Sequence, residues 1–279
     1  MTSSSQSASP SSSPLPIVVG IDGSKFARRA AFWAAEEAVG RQVPLRLIYV
    51  VESDDPDSDA VAVEAADALR SVAEALNASG LQVKVETDIL QGDPVDVLAE
   101  ASRSAGLICL GWKGTHDSGP GRRGSTAALV AQAAECSVAV VHRRHAREAP
   151  GPHRWVVAVL DDRPHPRAIL QKAIEEAGLR DASILALTPW PAESERSESI
   201  RAEIKAYLGD PDPDNPDVLV CVLPRPADVP NLLAQSADID QLVIAQGDDP
   251  QLIAQLVDPA TAAILRGTDC SLLVLRDQV

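Results

Sequence analysis

The residues best suited to chemistry lie in one stretch: Leu110-Gly111-Trp112-Lys113-Gly114, nine residues from Thr115 to Arg123, then Gly124-Ser125-Thr126. The chain leaves an apolar run, makes a long glycine-bearing loop and enters helical spacing at Gly124-Ser125. Backbone N–H groups at a helix start, with the positive end of the helix dipole, receive phosphate oxygens. Glycine at 111, 114 and 124 lets the main chain approach an anion with no Cβ in the way, and Ser125 and Thr126 add hydroxyl donors. From Gly111 to Ser125 the loop carries Lys113, Arg122 and Arg123 against Asp117, an excess of +2 in a chain of net charge −15. That local reversal of sign suits a polyphosphate. Two other phosphate motifs fit less well. Gly119-x-Gly121-x-x-Gly124 has the letters of the dinucleotide fingerprint, but it begins well past the strand and no acidic residue closes the next one. A Walker A loop is absent.

The elements that must position this loop follow from periodicity. Ile17 to Ile21 is a short apolar run of the kind buried on both faces of a sheet, broken by Asp22-Gly23-Ser24 before helical spacing from Ala27 to Val39. Leu45 to Val51, Val83 to Leu90, Leu107 to Leu110 and Ser137 to His142 read as further strands. Helices fall over Ala60 to Ala78, Val95 to Ser104 and Ser125 to Ala134, with Asp93 as N-cap and Pro94 at the first helical position of the second. Strands alternating with helices imply a parallel sheet covered on both faces. Asp22 has two readings, a turn residue before a helix capped by Ser24, or a ligand contact at the strand's end.

Arg143 to His153 is polar, and beyond it the pattern restarts. Trp155 to Leu160 repeats the first strand, with Asp161-Asp162 where Asp22-Gly23 stood. Helices over Ala168 to Ala177 and Glu195 to Leu208 alternate with strands at Ile184 to Leu187, Val218 to Leu223, Gln241 to Ala245 and Ser271 to Leu275. The close of each half matches: Ala133-Ala134-Glu135-Cys136-Ser137-Val138 against Gly267-Thr268-Asp269-Cys270-Ser271-Leu272. This is a duplicated domain, since solenoid repeats are far shorter.

Composition sets the class. Hydrophobic content of 45% with 3% aromatics points to cores of Ala, Val, Leu and Ile. The acidic balance repels nucleic acid and anionic membranes, and no apolar stretch is long enough to span a bilayer. Residues 1–15 are Ser/Pro-rich without an apolar core and read as a disordered tail, and the expected location is cytoplasmic. Cys109, Cys136, Cys221 and Cys270 form no CxxC pair and read as small buried hydrophobes. His142, His145 and His153 lack metal-ligand spacing.

The spacing Gly111-x2-Gly114-x9-Gly124-Ser125, with the opening Val18-Val19-Gly20-Ile21-Asp22-Gly23-Ser24, resembles the ATP-binding signature of the universal stress protein family in its tandem form. The resemblance implies two five-stranded parallel-sheet α/β domains, Rossmann-like with strand order 3-2-1-4-5: an ATP-binding domain at 16–145 and a degenerate one at 154–279. In that order the first and fourth strands flank the reversal where α/β sheets open a ligand crevice. It further implies Asp22 at the ribose–adenine end and the backbone near Val50 and Val51 against adenine. Gly111 and Gly114 would line ribose and α-phosphate, and Gly124, Ser125 and Thr126 would cradle the β- and γ-phosphates. Mg2+ would be held mainly by phosphates and water. In the second half only Gly247 survives of the glycines, and Asp258-Pro259 stands for Gly124-Ser125; acidic side chains and an absent N–H do not receive phosphate.

The expected function is therefore an ATP-binding regulator of stress response or growth. A slow ATPase or phosphotransferase, and a dimerisation module without nucleotide, are the alternatives. No positioned general base is visible, so at most weak hydrolysis is expected. The halves pair with each other or the chain forms a homodimer, and a regulatory protein partner is expected without being identifiable.

Overall fold

The computed structural model describes residues 14–52, 58–114, 126–142, 154–160, 167–191, 193–208, 220–224, 229–235, 240–247, 253 and 269–276. In the first half β1 (Ile17–Ile21), α1 (Lys25–Arg41), β2 (Leu45–Val51), α2 (Ser58–Ala78), β3 (Val85–Gln91), α3 (Pro94–Ala101), β4 (Leu107–Gly111), α4 (Thr126–Ala133) and β5 (Ser137–Val141) alternate. The second half runs β6 (Arg154–Val159), α5 (Arg167–Arg180), β7 (Ser183–Thr188), α6 (Glu195–Leu208), β8 (Val220–Pro224), α7 (Val229–Ala234), β9 (Asp240–Gln246) and β10 (Asp269–Leu275). The short α7 has no counterpart in the sequence reading.

The ten strands of the described residues join one sheet, ordered β3-β2-β1-β4-β5-β10-β9-β6-β7-β8. Each half thus has the order 3-2-1-4-5, and the halves are joined edge to edge by their fifth strands. That junction is antiparallel, Leu272 against Val140 and Val274 against Val138, while every other pairing is parallel. The β5–β10 pairing covers two strand edges that would otherwise present unpaired N–H and C=O groups.

Both faces of the sheet are buried, which is why the strands read as continuous apolar runs. Ile17, Val19 and Ile21 point to one layer with α1, α2 and α5; Val18, Ile108 and Val138 point to the other with α3, α4 and α7. Each layer contains residues of both halves, so each core continues across the junction. The predicted caps are present. Ser24 Oγ accepts from the Ala27 N–H at 3.0 Å, and Asp93 Oδ1 accepts from Val95 at 2.8 Å, with Pro94 following. Cys109, Cys136 and Cys270 are buried; burial pushes the Cys109 thiol well above its ordinary value and the Cys136 thiol up to about 11. Thiols kept protonated in this way are poor nucleophiles.

Where α1 meets α5 across the junction, the two helices repeat one another. Glu36-Glu37-Ala38-Val39-Gly40-Arg41 faces Glu175-Glu176-Ala177-Gly178-Leu179-Arg180. Arg41 donates to its own helix's Glu37 at 2.6 Å and to Glu176 of the other at 2.5 Å. Arg180 pairs in mirror fashion with Glu176 and with Glu37. Lys172 adds a contact to Glu176 at 3.1 Å, and the Arg180 guanidinium lies 5.2 Å from the centre of the Trp33 ring. Leu179 packs so closely on Gly40 that a Cβ there would meet its Cδ2 at 2.9 Å.

Both carboxylates of this quartet are buried, Glu37 at 3% exposure and Glu176 at 0%. Burial raises the Glu37 carboxyl, as does the neighbouring Glu176, and Arg180 and Arg41 do not fully offset them. Burial also opposes ionisation of Glu176, but Arg180, Arg41 and Lys172 together outweigh it and hold that carboxyl below its ordinary value of 4.5. Removing one partner of a buried ion pair leaves the others uncompensated, at a cost of about 3–5 kcal/mol. Glu176→Gln is therefore expected to destabilise the fold by about 3 kcal/mol in urea titrations at neutral pH. The sign of the pH effect follows from the lowered carboxyl: its contribution is present above 4.5 and is lost as the pH falls below it. The stability gap between wild type and Glu176→Gln should narrow on acidification, and a gap that stays constant would contradict the pairing.

Candidate functional site

Because the strands of each half are parallel, the ends of β1, β2 and β4 share one edge of the sheet. Ile21 pairs with Tyr49 in β2, and Val19 with Cys109 in β4. Continuing that register places Asp22 level with Val50, with Gly111 one position behind on the other side. Two strand spacings, about 10 Å, separate the ends of β2 and β4. The structure thus brings Asp22, Val50, Val51, Gly111 and Gly114 to one edge at the reversal between β1 and β4. Thr126 is exposed at the first position of α4. Gly124, Ser125, Arg122, Arg123 and His116 lie outside the described residues.

Asp22 fills the first of its two readings. Its Oδ1 accepts from the Ser24 N–H at 2.9 Å, which makes it the turn residue before α1. Its Oδ2 faces the β4 loop, where a Cβ on Gly114 would lie 2.9 Å away. The carboxylate therefore stands where a side chain at 114 would be. Beneath them the buried Tyr49 phenol is raised, by burial first and then by Glu64 and Asp22, so it remains protonated. The Val51 carbonyl accepts from the Gly92 N–H at 3.0 Å, which ties the end of β2 to the turn after β3.

The reason for glycine at 111 differs from the expected one. A Cβ there would stand 2.7 Å from the Phe26 carbonyl carbon and 2.8 Å from the Ala27 nitrogen. The first turn of α1 occupies the space, and the close approach is between helix and strand. Trp112 is half-buried between two rings. Phe26 meets it edge-on at 5.3 Å, and the buried His142 lies 4.3 Å away. Lys25 and Arg29 lie over the Phe26 ring at 5.3 and 5.8 Å, which gives this side of the site a positive rim. Neither Phe26 nor His142 stood out in the sequence, because nothing local shows that the ends of α1, β4 and β5 converge.

The matching corner of the second half is built differently. Ser137 pairs with Leu107 and Ser271 with Leu242, so register puts Gln246 at the place of Gly111 and Gly247 at that of Trp112. Gly247 is therefore not the survivor of the first loop glycine. Three residues link β1 to α1, whereas seven separate β6 from α5. At that place the second half carries a full side chain, the buried Gln246, where the first half must have glycine.

Among the described residues no three His, Cys, Asp or Glu side chains gather as metal ligands, and no helix is long and apolar enough to cross a membrane. The fold and this edge define a tandem doubly wound α/β protein whose first half reverses its strand order between β1 and β4. The chain belongs to the universal stress protein family, whose sequence model matches residues 15–142. Universal stress protein Rv2624c of Mycobacterium tuberculosis is 38% identical over 263 residues, 93% of this chain and 96% of that one. Universal stress protein Rv2028c of the same organism is 36% identical over 272 residues, 95% and 97% of the two chains. The crystal structure of a universal stress protein from Archaeoglobus fulgidus DSM 4304 superposes with a TM-score of 0.66 at 15% identity, over 95% of this chain and 97% of that one, a likeness of fold.

Two glycines give opposite expectations. Gly111→Ala should destabilise by about 1–3 kcal/mol, because the first turn of α1 must move to admit a methyl group. Gly178, late in α5, has nothing within 4 Å of its missing Cβ, so Gly178→Ala should stabilise by up to about 1 kcal/mol. Urea unfolding midpoints report both; equal and small shifts would show that α1 does not lie against the end of β4.

Proposed function

We propose that the first half binds ATP at the β1–β4 reversal and that the protein is a nucleotide-dependent regulator of a stress response or of growth. The observation that carries this reading is the approach of the Asp22 carboxylate to Gly114 at the strand reversal of the first half, where neighbouring connections diverge. A carboxylate beside a glycine-bearing main chain suits a ribose: the hydroxyls donate to Asp22, and the lack of a Cβ keeps the loop close. Val50 and Val51 close the adenine side two strands away. Thr126, with Gly124 and Ser125 as the family signature places them, receives the β- and γ-phosphates at the start of α4. Bound ATP carries its own Mg2+, held through phosphate oxygens and water, which needs no cluster of protein carboxylates.

ATP acts here as a ligand that biases conformation. It shifts an equilibrium only by its difference in affinity for the two states, about 1.4 kcal/mol for each tenfold. The second half does not bind ATP: Asp258-Pro259 replaces Gly124-Ser125, and an acidic side chain and an absent N–H do not receive phosphate.

Equilibrium dialysis of the whole chain is expected to give one ATP per chain, and two would sink the assignment of a single site. Nucleotide released from the purified protein by denaturation, with inorganic phosphate measured in parallel, should be ATP without turnover; steady phosphate release would point to an ATPase instead. Gly124→Asp should weaken ATP by well over tenfold with the unfolding midpoint unchanged.

A further inference from the structure

At the far end of α4 the second half takes hold of the first. Arg276 follows β10, and the antiparallel junction brings it to the start of β5, beside the last turn of α4. Its Nη2 donates to the carbonyl oxygens of Ala131 and Gln132, at 2.9 and 2.8 Å. Its backbone N–H donates to Ser137 Oγ at 3.3 Å. On the way the side chain crosses Gly247, where a Cβ would meet the Leu275 carbonyl oxygen at 2.7 Å and Arg276 Cδ at 2.9 Å. The glycine that the second half keeps is thus explained by the passage of this arginine.

We propose that Arg276 is a positioning residue for the nucleotide site: the second half, itself without a site, completes that of the first by fixing α4. The proposal rests on the ATP reading above. A two-turn helix is not stable by itself, and the carbonyls of its last turn have no partners within the helix. Arg276 supplies donors and a positive charge to those carbonyls, where a cation is favoured. Because α4 is rigid while intact, pinning its last turn also fixes the direction of its first turn, at which Thr126 stands. A direct pull of the guanidinium on phosphates is a minor effect. Eight residues span about 12 Å, beyond the screening length of about 8 Å at physiological salt. The positional effect dominates.

Arg276→Met keeps the stem over Gly247 and removes the donors. In calorimetric titrations of the full chain with ATP, AMP and adenosine, Arg276→Met should weaken ATP about fivefold, AMP less, and adenosine by under twofold. Hydrogen exchange of the α4 amides, measured without ligand, should accelerate while that of α1 does not, and Arg276→Lys should restore part of both effects. An unchanged ATP affinity with wild-type binding intact overturns the proposal, as does equal weakening of ATP and adenosine, or α4 exchange that does not change. Wild-type protein that fails to bind ATP overturns the reading on which the proposal stands, and the proposal with it.

Discussion

The arrangement hangs on the junction between the halves, where β5 pairs with β10 and two arginines pair crosswise with two buried glutamates. Neither half is complete without it. The fifth strand of each would be a bare edge, and Glu37 and Glu176 would lack the partner from the opposite helix. Buried ion pairs are weak evidence for stability compared with apolar packing, but once formed they are intolerant of misalignment. Here α1 and α5 must meet with Glu37 opposite Arg180 and Arg41 opposite Glu176 simultaneously. The quartet therefore fixes how the two helices register, while the continuous apolar layers supply most of the driving force.

Duplication made this junction nearly symmetric, and the departures from symmetry are where the halves acquire different capacities. The three-residue turn after β1 presses α1 against β4 and demands glycine at 111, whereas the buried Gln246 stands at the equivalent place of the second half. Likewise His142 and Arg276 hold equivalent places after β5 and β10. One packs on Trp112 beside the reversal point, and the other crosses to α4 of the opposite half. The same position thus serves its own half in one case and the opposite half in the other.

Much of this was legible beforehand, and the rest was hidden for physical reasons. Strands buried on both faces announce themselves as apolar runs such as Ile17 to Ile21, and caps such as Ser24 and Asp93 act within four residues, so both read directly from sequence. The gathering of Asp22, Gly111 and Gly114 at one edge also follows once the strand order is known. The quartet did not show, because Glu37-x3-Arg41 and Glu176-x3-Arg180 look like the pairs any solvated helix face carries. Only the meeting of two helices buries them. Gly111 was assigned to anion approach, and the reason for Gly247 stayed hidden, because their neighbours in space, Phe26 and Arg276, are remote in the chain. The six-residue α7 is too short for its periodicity to stand out.

These observations bear on why a half that has lost its glycines is retained. The two helices that border the first-half site are α1, whose first turn touches Gly111, and α4, whose first residue is Thr126. Each is gripped at its opposite end by the second half, α1 through the quartet and α4 through Arg276. On the proposed reading, a nucleotide seated between the two helix starts acts on levers whose far ends lie in the other half. Binding that favours one disposition of α1 and α4 must favour the matching disposition of the junction, and by linkage the junction biases affinity equally in return. Cores this closely packed shift between discrete arrangements and do not deform continuously, so a small difference at the β1–β4 reversal can be transmitted without a wide motion at any single point.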